Sequence, residues 1–160
     1  NYFMQQDQAL QITVKEASPE DKEMIIGFQI DMAWETEKVK LDENTIRIGV
    51  QNVFKNPNLG RYYVAKANNL IVASLLITYE WSDWRNSIVW WIQSVYVIPK
   101  YRKRGVFRKM YENIKQQVER DNEIAGIRLY MVHNNRIAAH VYEKLGMDGN
   151  RYRLFEWLKK

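Results

Sequence analysis

The 160-residue chain has no cysteine, which removes disulfides and thiolate metal ligands and makes a reducing cytosol the natural compartment. Histidine is almost as scarce: His133 and His140 stand alone with no supporting cysteine, so no metal centre is expected. Long apolar runs are missing too. Residues 70–77 and 88–98 are too short or too interrupted to form a membrane helix, and the start lacks a charged-then-apolar signal pattern. The expectation is a soluble, cytoplasmic protein with no membrane partner. Residues 1–10 ("NYFMQQDQAL") read as a loosely held start or an expression remnant, and residues 11–160 fit one domain able to bury a core without staples.

Positive charge is present and unevenly placed. The net charge is +5, and the stretch "YRKRGVFRKMY" (101–111) sets Arg102, Lys103, Arg104, Arg108 and Lys109 around Gly105. Such density points to an anionic partner, either phosphate groups or nucleic acid.

Hydrophobic periodicity places that stretch. "QITVKEA" (11–17) alternates as a strand, after which Ser18 caps a helix opened by Pro19 and striped by Met24, Ile25, Phe28 and Met32. A break near 39–41 precedes a second helix, capped by Asp42 and closed at Asn56 and Pro57. The period then shortens. "GRYYVAKA" and "LIVASLLITYE" read as paired strands about an Asn68-Asn69 hairpin turn, "WSDWRN" (81–86) as a turn, and 88–98 as a long strand ended by Pro99. Phe107, Met110, Tyr111, Ile114 and Val118 restore helical spacing, and Ile127, Leu129 and Met131 alternate in a further strand. Asn135 caps a short helix stopped by Gly146, and 152–158 ("YRLFEWL") supplies a last strand. The order βααβββαβαβ predicts an α+β fold, a mixed sheet with helices on its faces.

The basic stretch therefore lies where a central strand turns into a helix. The unpaired N–H groups of a helix's first turn, with the helix dipole, form a seat for phosphate, and a glycine there lets the ligand approach the backbone. The same residues also fit a solvated basic helix start.

"VYVIPKYRKRGVF" resembles the coenzyme A signature of the GNAT superfamily of N-acetyltransferases: a strand leading to Arg or Gln, two residues, Gly, one residue, then Gly or Ala. Arg102 and Gly105 fill the first two fixed places, and Phe107 departs from the third. "NNRIAAHVYEKLGM" (134–147) is similar to the family's later segment, in which Asn, a small-residue helix and Tyr precede Leu-Gly-Met or Leu-Gly-Phe.

That resemblance implies a GNAT-like fold and a ternary-complex reaction in which a primary amine takes the acetyl group of acetyl-coenzyme A. The thioester arm would lie where the strand 88–98 parts from the strand 127–132, on main-chain groups of Val95, Tyr96 and Val97. Arg102, Lys103, Arg104, Gly105, Val106, Phe107 and Arg108 would hold the pyrophosphate. Tyr142 matches the family's proton donor to the departing thiolate, and Asn135 either touches coenzyme A or only caps its helix.

Gln93 stands where polyamine-acetylating relatives carry a Glu, and an amide accepts no proton usefully. Glu80 and Asp83, beside the central strand, are the candidate bases. For the acceptor, Asp31, Glu35 and Glu37 form an acidic set in a basic protein, with Trp34, Trp81 and Trp84 as an aromatic wall; Trp90 and Trp91 read as core. Polyamine-like molecules, amino sugars and peptide amines all fit as acceptors, and the aromatic strands leave room for a homodimer. Two rivals stay open. One is a coenzyme A-binding sensor or subunit without catalysis; the other is a nucleic-acid-binding domain, disfavoured because the charge is local.

Overall fold

A computed structural model describes residues 10–160; the expected loose start therefore lies, except for Leu10, outside the described residues. The elements run β1 (Ile12–Glu16), α1 (Lys22–Glu37), α2 (Glu43–Lys55), β2 (Arg61–Ala67), β3 (Leu70–Ser82), β4 (Ser87–Val97), α3 (Val106–Arg120), β5 (Ile124–Arg128) and α4 (Arg136–Lys144). Short 3-10 turns, Pro19–Asp21 and Pro99–Tyr101, precede α1 and α3. One sheet has the order β1-β2-β3-β4-β5. Its first four strands are antiparallel and β5 joins β4 in parallel, giving the mixed α+β sheet that the periodicity predicts.

Local chemistry sets the boundaries. The Ser18 N–H donates to Asp21 Oδ2 at 2.9 Å, opening the first helical turn, and Lys15 Nζ approaches the same oxygen at 2.9 Å. Burial works to raise the Asp21 carboxyl, but these donors outweigh it and hold it below its ordinary range. Asp42 Oδ1 accepts the Thr45 N–H at 2.7 Å and caps α2. Asn68 and Asn69 take φ of 50° and 65°, the two left-handed steps of a tight hairpin between β2 and β3.

The sheet is the middle layer. On β2, Tyr62 and Val64 pack with Ile25 and Ile26 of α1 and Val50 of α2. Tyr63, Ala65 and Ala67 alternate to the other face, where Val106, Met110 and Ile114 of α3 complete the larger core. Gly60 sits at the entry to β2 with no room for a side chain: a Cβ would lie 2.6 Å from the Ile77 carbonyl oxygen. Backbone cannot yield as a flexible side chain can, so Gly60→Ala is expected to destabilise the fold by about 1–3 kcal/mol in chemical denaturation, the usual range for overpacking.

Two strands differ from their sequence patterns. The pattern over Ile127, Leu129 and Met131 predicts a strand there, whereas β5 begins at Ile124 and stops at Arg128 because its pairing with β4 ends at Trp91–Arg128. Residues 152–158 form no strand. Their apolar side chains fall on both faces of an extended chain, and such a strand needs a ladder partner and cover on both sides, which the fold does not give it.

Candidate active site

The site begins where two strands part. β4 and β5 pair only from Ile88–Ile124 to Trp91–Arg128, so the β5-side edge of β4 beyond Trp91 carries no ladder. A bulge in the same stretch re-aims the backbone: the β3–β4 register shifts between Ser74 and Leu76, and Ser94 takes a left-handed φ of 51°. The alternation consequently reverses. Trp90 and Ile92 face α3 before the bulge; Val95 and Val97 face it afterwards, with Tyr96 turned toward α1. Ile98 N–H donates to Val72 O on β3 at 2.9 Å. By strand alternation, the main-chain groups of Val95 and Val97 then point to the open edge and those of Tyr96 toward β3. Ser94 carries no signal in the sequence, since a serine inside a β-rich run looks like any other.

At its far end β4 runs into the glycine turn. Lys103 and Gly105 take φ of 59° and 79°, and Gly105 is the N-cap of α3, so no side chain caps that helix. A Cβ at Gly105 would meet nothing within 4 Å, so the space beside the start of α3 is open. The surrounding charges are unequally committed. The Arg104 guanidinium lies over the Tyr101 ring at 5.5 Å, Arg108 Nε bonds Glu112 Oε1 at 3.2 Å, and Lys103 is exposed. Arg102 turns back: its Nε donates to Val97 O at 2.8 Å and its Nη2 to Glu35 Oε2 at 2.6 Å.

That last contact joins two sets of residues the sequence reading kept apart. Glu35, expected in the acceptor site, accepts from Arg102 and also from the Tyr96 hydroxyl at 2.9 Å. The Arg102 guanidinium holds the Glu35 carboxyl below its usual range, while burial, then Glu35, pushes the Tyr96 hydroxyl up to about 12. The end of α1 is thus latched to the end of β4. Asp31 remains exposed, and Trp34 carries Lys38 Nζ over its ring at 5.6 Å.

On the other side of the parting, a groove of about 1520 Å³ runs along β5. Its walls include Glu80 of β3, Asp83 and Trp84 from the β3–β4 turn, Trp91, Tyr111 of α3 and Tyr142 of α4; Asp31, Trp34, Glu35 and Gln93 are not among them. Tyr142 is half-buried, and burial pushes its hydroxyl up from 10. Its ring meets that of Phe107 edge-on, 5.7 Å between centroids, and Phe107 in turn lies 6.4 Å from Tyr111. The bulky residue in the glycine turn therefore packs inward and ties the first turn of α3 to Tyr142.

The remaining candidates are held by neighbours. Glu80 is ion-paired with Arg128 at the last rung of the β4–β5 ladder. Asp83 Oδ1 accepts the Trp84 N–H at 2.8 Å. Gln93 donates to Thr78 Oγ1 on β3, and Asn135 Oδ1 accepts the Ala138 N–H at 3.0 Å, which caps α4. Arg128 is a residue that sequence reasoning missed; its only signal is one cation inside an apolar alternation. Among the described residues no cluster fit for a metal ion occurs, and no helix is long and apolar enough to cross a membrane.

Comparison with known proteins bears on this geometry. No curated protein matches the chain. Among solved structures, "a possible acetyltransferase from Clostridium difficile 630" is 37% identical, with a TM-score of 0.86 over 93% of this chain and 98% of its own. The aminoglycoside N-acetyltransferase AAC(6')-Iy in complex with CoA shares the fold at 12% identity and a TM-score of 0.77, over 97% of this chain and 99% of that one. The same enzyme in complex with the bisubstrate analogue CoA-S-monomethyl-acetylneamine superposes with a TM-score of 0.75 at 12% identity, over 94% and 99%. The family model "Acetyltransferase (GNAT) family" matches residues 21–147, a span that runs from the start of α1 past α4 and takes in the parted strands, the glycine turn and Tyr142. The chain belongs to the GNAT acetyltransferase family.

Proposed function

We propose that the protein is an N-acetyltransferase that moves the acetyl group of acetyl-coenzyme A to a primary amine within a ternary complex. One observation carries the reading: the open edge of β4 beyond Trp91 leads to an uncapped helix N-terminus at a left-handed glycine. The residues fit the co-substrate. A pyrophosphate at Gly105 meets the N–H groups of Val106, Phe107 and Arg108, with Lys103, Arg104 and Arg108 neutralising its charge. Arg102 holds the turn in place through Val97 and Glu35 rather than reaching for phosphate. Main-chain groups of Val95 and the N–H of Val97 take the pantetheine amides, as a strand takes a neighbour, and place the thioester carbonyl against a donor that steadies its oxygen.

In the transfer, the amine nitrogen bonds to the acetyl carbon, the carbon–sulfur bond breaks, and sulfur receives the Tyr142 proton. The proton lost by nitrogen restores the tyrosine. The amine must arrive neutral, and a free alkyl ammonium has a pKa of about 10, so a carboxylate or carboxylate-held water removes its proton. Asp83 suits this better than Glu80, whose carboxylate is occupied by Arg128. Asp83 and the tryptophans Trp81, Trp84 and Trp91 along the groove favour a cationic amine. AAC(6')-Iy, held with a CoA–neamine analogue, is a relative whose acceptor has that chemistry.

The test uses an absence. With no cysteine in the chain, a thiol reagent reports released coenzyme A without protein background. Acetyl-coenzyme A plus a panel of polyamines, amino sugars and peptide amines is expected to release thiol in an amine-dependent way. Binding of acetyl-coenzyme A with no release from any amine would make the chain a coenzyme A sensor instead.

A further inference from the structure

Phe107 belongs to two parts of the candidate site at once. It is the second residue of α3, so its N–H lies in the first helical turn, which starts at the uncapped Gly105 and has no acceptor within the helix. Its ring packs inward. Partly buried against the larger core, that ring lies 6.4 Å from the Tyr111 ring and meets the Tyr142 ring edge-on, 5.7 Å between centroids. Edge-to-face contact is a preferred aromatic geometry, and it sets the orientation of a ring as well as its distance. The family signature carries Gly or Ala in this place, and neither has an atom beyond Cβ with which to reach α4.

α4 has few other holds. No residue of Arg136–Lys144 is fully buried, and among the described residues no hydrogen bond or ion pair joins this helix to another helix or strand. Just past its end, Leu145 and Met147 pack against the core. Those contacts fix where the helix stops, three and five residues beyond Tyr142. The Tyr142 hydroxyl bonds to no protein group among the described residues, and burial alone, without help from any charge, pushes it up from 10. Neither a hydrogen bond nor a charge therefore aims the hydroxyl. Its direction follows that of its ring, and the aromatic partner of that ring is Phe107.

We propose that Phe107 is a positioning residue that couples the co-substrate seat to the proton donor: a pyrophosphate held on the first turn of α3 fixes the Phe107 ring, and the ring fixes the Tyr142 hydroxyl for the departing sulfur. The inference rests on the function proposed above. The contact that distinguishes the seated state is the N–H of Phe107 itself, one of the donors the anion meets, so the ligand has a differential hold on this residue. The donor is then set by the event that brings the thioester, before an amine arrives.

ADP is the probe, because it carries the pyrophosphate of coenzyme A and lacks the pantetheine arm that would reach Tyr142 directly. In a chain whose tyrosine rings are isotopically labelled for NMR, the Tyr142 signal is the one that Tyr142→Phe removes. ADP is expected to shift that signal in the native chain and to leave it in place in Phe107→Ala, although calorimetry finds ADP bound to both within a few-fold. In turnover, Phe107→Ala is expected to lower kcat by about 10-fold, part of the roughly 10²-fold that a lost proton donor costs, with the KM for acetyl-coenzyme A changed by no more than about 2-fold. The same substitution made in Tyr142→Phe should change kcat by less than about 2-fold, whereas a merely structural role would lower it in both backgrounds. Phe107→Leu, which keeps apolar bulk against Tyr111, replaces the Ala variant in both arms if circular dichroism finds the Ala chain unfolded. A native chain that binds ADP with no movement of the Tyr142 signal, a shift that survives in Phe107→Ala, or equal losses of kcat in the two backgrounds each overturns the coupling. Failure of ADP and coenzyme A alike to bind would instead remove the co-substrate seat itself, and the coupling with it.

Discussion

Gly105→Glu is expected to weaken acetyl-coenzyme A binding by at least about 100-fold, the equivalent of roughly 2.8 kcal/mol, while leaving the protein folded. The position has a φ of 79° and open space around a would-be Cβ, so no neighbour resists the new side chain. A non-glycine residue in this left-handed conformation costs roughly 1–2 kcal/mol. A carboxylate at the start of a helix returns about 0.3–1 kcal/mol by meeting the dipole. The net loss of stability is therefore small beside the loss of binding, which comes from placing a negative charge on the seat of the pyrophosphate. Gly105→Asn separates the two contributions, because asparagine tolerates the left-handed region without adding charge. Titration calorimetry should find the Asn variant binding within a few-fold of the native chain and the Glu variant scarcely at all. Equal binding by all three would move the pyrophosphate away from α3.

Local rules made much of this molecule legible in its sequence. Asn68 and Asn69 named their turn because few residues accept two left-handed steps, and Asp42 named a helix start because its carboxylate satisfies an orphan N–H. The glycine turn was legible for the same reason. What stayed hidden depends on residues distant in the chain. Arg102 looked like a phosphate ligand from its neighbours, yet its guanidinium is committed to Glu35 on α1. Glu80 reads as a candidate base beside the central strand, yet the register of three strands brings Arg128 against it. Ser94 bends β4 because Ser74 and Leu76 opposite fix the register on either side of it, a constraint no single strand displays. The terminal segment has a strand's pattern without a strand's neighbours in its own chain.

Tyr142→Phe is expected to lower kcat with acetyl-coenzyme A affinity unchanged. The variant keeps the ring against Phe107 and removes a hydroxyl that bonds to no protein group among the described residues, so little stability is at stake. Loss of a positioned proton donor lowers rates by about 10²–10⁴-fold. The lower end applies here, because a thiol of pKa about 8.5 leaves tolerably as the thiolate, whereas burial holds the tyrosine above 10 and makes full transfer to sulfur uphill. The sign of the pH dependence follows. While Tyr142 keeps its proton the ratio of native to variant kcat stays constant, because the thioester sulfur has no proton to titrate before the carbon–sulfur bond breaks; the ratio narrows only as the tyrosine ionises above 10. Native kcat itself climbs as the amine deprotonates, and turns down only above 10, where Tyr142 loses its proton; the Phe variant has no such descent. A ratio near one at every pH would pass the donor role to water and leave Tyr142 as the packing partner of Phe107.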